Sequence, residues 1–183
     1  MHGEDHGPAR SDRAASLVDQ GRYDEALECL HVSDPGHALV RGAALAGLGR
    51  DEEALACFDE VLGRDPGDRD ALLGRVAALC ALDRFDEALE AASAALDVLP
   101  GDPRMLRYKG SALGALGRLE EGLECMDRAL ERSPGDAGLH TCRALMLRAL
   151  GLDDAAMESV GRALELDPGE VAALEVKKEI EDV

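Results

Sequence analysis

Cys142 and Arg148 have the Cys-x5-Arg spacing of a loop in which a thiolate attacks a phosphate ester. That chemistry needs free backbone N–H groups in a Gly-containing loop at a helix start. The stretch 141–149 reads as mid-helix, where those groups are already bonded, so the spacing is coincidence. The five cysteines are Cys29, Cys57, Cys80, Cys125 and Cys142, and no two lie within four residues of each other. A zinc site wants closely spaced ligand pairs, and a disulfide framework usually wants an even count. Reduced, mostly buried thiols are therefore expected. His2, His6, His31, His37 and His140 show no metal-ligand spacing, and His2 and His6 fall in a terminal stretch, 1–8, expected to be disordered. Gly47-Leu48-Gly49 reads as a helix end with no strand before it, so it is not a dinucleotide loop. The expectation is a chain with no catalytic residues, no metal and no cofactor.

Composition narrows the partners. The chain has 183 residues and a net charge of −18, with a pI near 4.5. Phosphate binding needs a basic face, so nucleic acid is not expected as a partner. An anionic membrane surface is disfavoured for the same reason. No apolar run approaches the roughly 20 residues of a membrane span. The first residues lack the basic-then-apolar order of a signal peptide, so a soluble, cytoplasmic protein is expected. Aromatic residues make up only 2% of the chain while hydrophobic residues make up 46%, so the core must be aliphatic. Of 20 basic residues only Lys109, Lys177 and Lys178 are lysines, and Asn is absent. That bias fits a GC-rich genome or a salt-adapted organism.

The elements that carry these residues repeat. Gly21-Arg22-Tyr23-Asp24-Glu25-Ala26 recurs as Gly49-Arg50-Asp51-Glu52-Glu53-Ala54, Asp83-Arg84-Phe85-Asp86-Glu87-Ala88 and Gly117-Arg118-Leu119-Glu120-Glu121-Gly122. A weaker fifth copy is Gly151-Leu152-Asp153-Asp154-Ala155-Ala156. From position 49 the spacing is 34 residues, and Pro66, Pro100, Pro134 and Pro168, each followed by Gly, keep the same period. Self-similarity at this length means stacked supersecondary units.

One unit reads as a helical hairpin, helix A then helix B. Leu72, Val76, Leu79 and Leu82 fall on one stripe of a helix. Asp68, Asp102 and Asp136 stand where they can N-cap helix A, and Gly49, Gly117 and Gly151 where they can end it. Acids then open helix B, as at Asp24/Glu25 and Glu120/Glu121, where negative charge offsets the helix dipole. Small residues match across the two helices: Ala14 with Ala26, Gly42 with Ala54, Gly110 with Gly122, Ala144 with Ala156. Val76 with Ala88 is the bulkier exception. Small side chains at a crossing let helix axes approach. Two leucine series, Leu45/Leu79/Leu113/Leu147 and Leu48/Leu82/Leu116/Leu150, are both expected in the core. Arg41, Arg75, Lys109 and Arg143 recur at one place on helix A and read as structural, with packed stems and heads reaching solvent.

The Gly-x-aromatic-x-Glu-Ala element, clearest at Gly21 to Ala26, and the proline closing each unit resemble the tetratricopeptide repeat family. The resemblance covers about 9–182. It implies an all-α, right-handed superhelical solenoid in a single domain, with repeats near 9–34, 35–66, 69–100, 103–134 and 137–168 and a capping helix over 169–182. Helix A is expected near 36–48, 69–82, 103–116 and 137–150, and helix B near 51–64, 85–98, 119–132 and 153–166. The terminal helix carries Glu175, Lys177, Lys178, Glu179 and Glu181, which suits the solvated end of an array. Two departures stand out. The first repeat is six residues short, so its linker Ser33-Asp34-Pro35-Gly36 arrives early and both flanking helices should lose about a turn. The family's large aromatic near the start of helix A is replaced by Ala38, Leu72, Leu106 and His140.

The resemblance further implies a groove, lined by helix A, that binds a peptide segment. The residues carried over are Leu39, Ala43 and Ala46; Asp70, Leu73, Ala77 and Cys80; Arg104, Arg107, Ser111 and Gly114; and Thr141, Leu145 and Arg148, with Tyr108 beside them. The first half is small and apolar, and the second half carries three Arg expected to converge on a carboxylate. A partner with an apolar stretch and an acidic group or free C-terminus is expected. The Lys/Asn/Arg clamp of the family's chaperone-tail-binding members is not matched, since the chain has no Asn. The leading expectation is a non-enzymatic adaptor that assists complex assembly. The competing readings are a self-associating scaffold and the substrate-recognition subunit of an enzyme complex.

Overall fold

The carboxylates of Asp68, Asp102 and Asp136 each accept backbone N–H bonds across the first turn of a helix: from Ala71 at 2.8 Å, from Arg104 and Met105 at 3.0 and 3.1 Å, and from Leu139 at 3.1 Å. These caps satisfy donors that have no intrahelical partner. The computed structural model describes residues 7–30 and 35–182. In chain order the helices are α1 (Gly7–Asp19), α2 (Tyr23–Cys29), α3 (Ala38–Gly47), α4 (Asp51–Leu62), α5 (Arg69–Ala81), α6 (Phe85–Val98), α7 (Pro103–Ala115), α8 (Leu119–Arg132), α9 (Ala137–Ala149), α10 (Asp153–Leu166) and α11 (Val171–Glu181). A 3-10 turn, Pro35–His37, leads into α3. Among the described residues there is no strand.

The chain divides into two compact units, Met1–Arg84 and Phe85–Val183. In the first, α1 and α2 form one hairpin, α3 and α4 the next, and α5 packs on α3 and α4. The A helices α1, α3 and α5 are neighbours in that order. In the second unit α6 packs on α7, the hairpins α7/α8 and α9/α10 follow, and α11 packs on α9 and α10. There the A-type helices α7, α9 and α11 are neighbours in order.

Each A helix ends in the same way. The carbonyl of a buried leucine accepts the N–H three residues past the helix end: Leu17 from Arg22, Leu45 from Arg50, Leu79 from Arg84, Leu113 from Arg118 and Leu147 from Leu152, all at 2.9 Å. This bond requires a left-handed residue between the helix and the donor. Gly21, Gly49, Gly117 and Gly151 supply it at φ of +71° to +75°, and Asp83 is forced into it at φ +56°.

The hairpins close on their small residues. Ala14, Ala26, Ala54, Ala144 and Ala156 are fully buried. At the α7/α8 crossing a Cβ on Gly110 would lie 2.9 Å from the Gly122 carbonyl, and one on Gly122 would lie 3.0 Å from that of Gly110. The two backbones touch there. Leu45, Leu79, Leu113 and Leu147 are buried as expected. Leu48, Leu82, Leu116 and Leu150 are only half-buried, because they sit at the C-caps, where the helix is already leaving its partner. On α5, Ala71, Leu73, Val76, Ala78 and Leu79 are all buried, more than one stripe would hold. Leu72 is half-buried.

Charged side chains knit neighbouring helices. Arg22, Arg50 and Arg118 each fold onto a glutamate three residues on, at 2.5–2.8 Å through two N–H bonds (Glu25, Glu53, Glu121). The pairing holds these carboxyls below their usual range and raises the guanidinium groups. The heads of the recurring helix A basic residues do not simply reach solvent. Arg75 binds Asp59 of the preceding helix B at 2.7 Å. Arg143 binds Asp127 at 2.7 Å and donates to the buried Ser159 hydroxyl at 2.7 Å. Arg41 binds Glu60 at 2.8 Å.

The shortened first repeat costs its helices unequally. α2 has 7 residues against 14 in α6, α8 and α10, two turns fewer rather than one. α3 has 10 against 13 in α5, α7 and α9. His31, Ser33 and Asp34 lie outside the described residues, as do His2 and His6. At the other end, Ala173 and Val176 of α11 are buried. Lys178 stands one period beyond Gly110 and Ala144, where a further helix B would cross, and is exposed.

Three substitutions test this framework. Gly110→Leu should lower unfolding stability by about 1–3 kcal/mol in urea denaturation, because the Gly122 backbone has to move. Asp83→Gly should raise stability by up to about 1 kcal/mol by removing left-handed strain, and Gly117→Ala should lower it by a similar amount. A Cβ at 117 meets nothing within 4 Å, so only backbone strain is measured there.

Candidate functional site

The residues expected from the sequence to line a groove fall in both compact units. In the second unit they include α7 residues in steps of three and four: Arg104, Arg107, Ser111 and Gly114. Such residues share one face of a helix. Ser111 and Gly114 line a cavity of about 290 Å³ together with Leu119, Cys142, Leu145, Met146 and Ala149. Its walls are largely aliphatic. Burial pushes the Cys142 thiol up, against an opposing pull from the Arg107 guanidinium and the Ser111 hydroxyl. The thiol therefore stays protonated at neutral pH.

Arg107 stands at the α9 N-terminal end of this surface. Its guanidinium carbon lies 5.4 Å from the centre of the Tyr108 ring, within cation–π range. Its Nη1 lies 3.4 Å from where a Cβ on Gly138 would be. Arg104 is exposed one turn before it. Arg148 is elsewhere. It stands ten residues beyond Gly138 on α9, about 15 Å along the helix, and binds Glu179 of α11 at 2.6 Å. The expected convergence of three Arg is thus corrected to a pair on α7, because the third is at the far end of α9 and engaged by the terminal helix.

The other sequence-derived positions divide. Leu145 is 44% exposed and borders the cavity. Tyr108 and Ser111 are half-buried. Thr141 is buried, and its hydroxyl donates to the Ala137 carbonyl at 3.0 Å within its own helix. In the first unit Leu39, Ala43 and Ala46 on α3 are half-buried, as are Ala77 and Cys80 on α5. Leu73 is buried and Asp70 exposed. A separate cavity of about 390 Å³ in that unit is lined from α2, α3 and α4, including Leu27, Leu30, Leu45 and Cys57. None of the expected groove residues lines it.

Sequence reasoning placed the α9 contribution at 141, 145 and 148, whereas the cavity wall is 142, 145, 146 and 149. Neighbouring helix positions differ by about 100° of rotation, so a one-residue shift moves the lining from one flank of α9 to the next. Cys142, Leu145 and Ala149, small or apolar at steps of three and four, carried that signal in the sequence.

No metal-binding group of three or more His, Cys, Asp or Glu occurs among the described residues. No described helix is long and apolar enough to cross a membrane.

Two family models, both described as tetratricopeptide repeat, match residues 45–112 and 108–171. Among solved structures, residues 41 to the end of MamA from Desulfovibrio magneticus RS-1 are 26% identical with a TM-score of 0.75, covering 91% of this chain and 98% of that one. A thermophilic TPR protein of Thermus thermophilus is 20% identical with a TM-score of 0.79, covering 97% of this chain and 98% of that one. No curated protein gives a match.

Proposed function

We propose a function from the premise that this chain belongs to the tetratricopeptide repeat family, whose members are helical protein-interaction scaffolds: it is a non-enzymatic adaptor that holds a peptide segment of a partner on its A-helix face and so assists assembly of a complex. The observation that carries this is the α7/α9 groove, an apolar cavity of about 290 Å³ with the half-buried Arg107 on the same face. An apolar recess and one oriented cation are what a segment with an apolar side chain and an acidic group would need. The groove's thiol does not suit a thiolate nucleophile, since burial raises Cys142 where a nucleophile needs a lowered pKa. The chain's charge of −18 repels acidic partners at long range, so recognition of an acid has to be local to this groove.

Self-association is the second reading. Val171 and Leu174 on α11 are 66% and 45% exposed, and together they offer an apolar edge to another copy. The charged Lys178 and Glu181 on the same helix work against it.

Arg107→Glu should weaken capture of the partner from native lysate at least tenfold, leaving the melting temperature within a few degrees of the parent. Arg128→Glu, an exposed change on α8, should leave capture unchanged. Equal capture by the parent and Arg107→Glu would remove this reading.

A further inference from the structure

We infer that the α7/α9 groove recognises two side chains of one extended segment, an acid at Arg107 and an apolar residue three positions away in the cavity beside Leu145. This deepens the proposed function and rests on it.

The Tyr108 ring lies against the Arg107 guanidinium, 5.4 Å from centroid to carbon. Gly138 leaves room for Nη1, 3.4 Å from the place a Cβ would take. The cation is therefore fixed at the level of Gly138 on α9. Among the described residues it makes no ion pair, whereas Arg143 and Arg148 are each bound to a carboxylate, at 2.7 and 2.6 Å. A cation fixed and partly desolvated in this way favours an acidic side chain.

The distance to the cavity follows from both helices. Leu145 is seven residues beyond Gly138, and Gly114 is seven beyond Arg107. The lining runs from Ser111 and Cys142, four residues beyond Arg107 and Gly138, to Ala149, so at about 1.5 Å per residue its middle, at Gly114 and Leu145, lies about 10 Å from the cation. A polyproline II segment rises about 3.1 Å per residue and repeats its facing every three residues. Three residues then cover about 9 Å with both side chains turned to the groove. A β-strand alternates its faces at about 3.3 Å per residue, so two residues fall short and four overshoot. A helical segment is about 10 Å wide and would need seven residues. A recess of about 290 Å³ takes a side chain rather than a helix.

The test uses the full chain and fluorescent peptides, capped at both ends, with one Asp and one Leu in a Pro/Ser host at separations from one to seven. Anisotropy should show tightest binding at a separation of three, about tenfold tighter than at two or four. Asp→Asn in that peptide and Arg107→Gln in the protein should each weaken binding about tenfold. Binding should also slow N-ethylmaleimide labelling of Cys142, which lines the cavity. Leu145→Arg, at an exposed site that cannot unfold the chain by overpacking, should abolish both binding and protection. Affinity independent of separation, or tightest at seven, overturns the inference even where Cys142 is protected, and leaves the proposed function standing. Binding by no peptide also overturns it. The proposed function itself falls only if the parent and Arg107→Glu capture the partner equally from lysate.

Discussion

The close approach of two helices on small residues, backbone against backbone at Gly110 and Gly122, is the constraint on which the hairpins depend. At Gly110 and Gly122 the contact is reciprocal, each Cα facing the other's carbonyl oxygen within the distance a Cβ would need. Such Cα–H···O contacts recur where helices cross closely. Ala144 and Ala156, both fully buried, occupy the matching place in the next hairpin. Once the helices are this close, Leu113 and Leu147 lie beside the crossing with no room for water. Their carbonyls accept the bonds that turn the chain into helix B. Crossing, core and turn are thus one device. It also defines which flank of each A helix is left uncovered.

The same repetition makes departures informative. The charge ladder pairs arginine with aspartate at Arg75/Asp59 and Arg143/Asp127. In the same register Lys109 is matched with Ser93 and Lys177 with Gly161. Arginine occurs where a carboxylate can accept its fork, and lysine where none can. The ladder consumes its cations in holding helices together. Arg148 is consumed likewise by Glu179. Arg107 is different. It is half-buried, has an aromatic ring beside its guanidinium, and shares α7 with residues that line an apolar recess. The proposal that Arg107 recognises a partner rests on this contrast more than on the presence of arginine.

Much of the fold was legible in the sequence because it is local and repeated. The capping aspartates, the glycines that end helix A and the small residues at the crossings each act within a few residues or one hairpin, and their spacing is written directly in the chain. Asp83 followed the same rule, adopting the conformation that its aligned glycines predict. What the sequence left unread depends on relations between helices. The half-burial of Leu48 and its counterparts reflects how far a helix extends past its neighbour. The lining of the cavity turns on the rotation of α9, where an error of one residue changes the flank. The engagement of Arg148 depends on a terminal helix packed back against α9, a contact for which no periodicity speaks. The apolar and basic halves of the expected groove belong to different compact units, so the recognition argued above is confined to the second.

Proton NMR of the folded chain reads the founding contact directly. If hairpins close backbone against backbone, the Hα protons of Gly110 and Gly122 lie within nuclear Overhauser range, and a cross-peak should join them. A folded, well-dispersed spectrum in which those two glycines show no cross-peak, each instead connected to bulky side chains from elsewhere, would contradict the account.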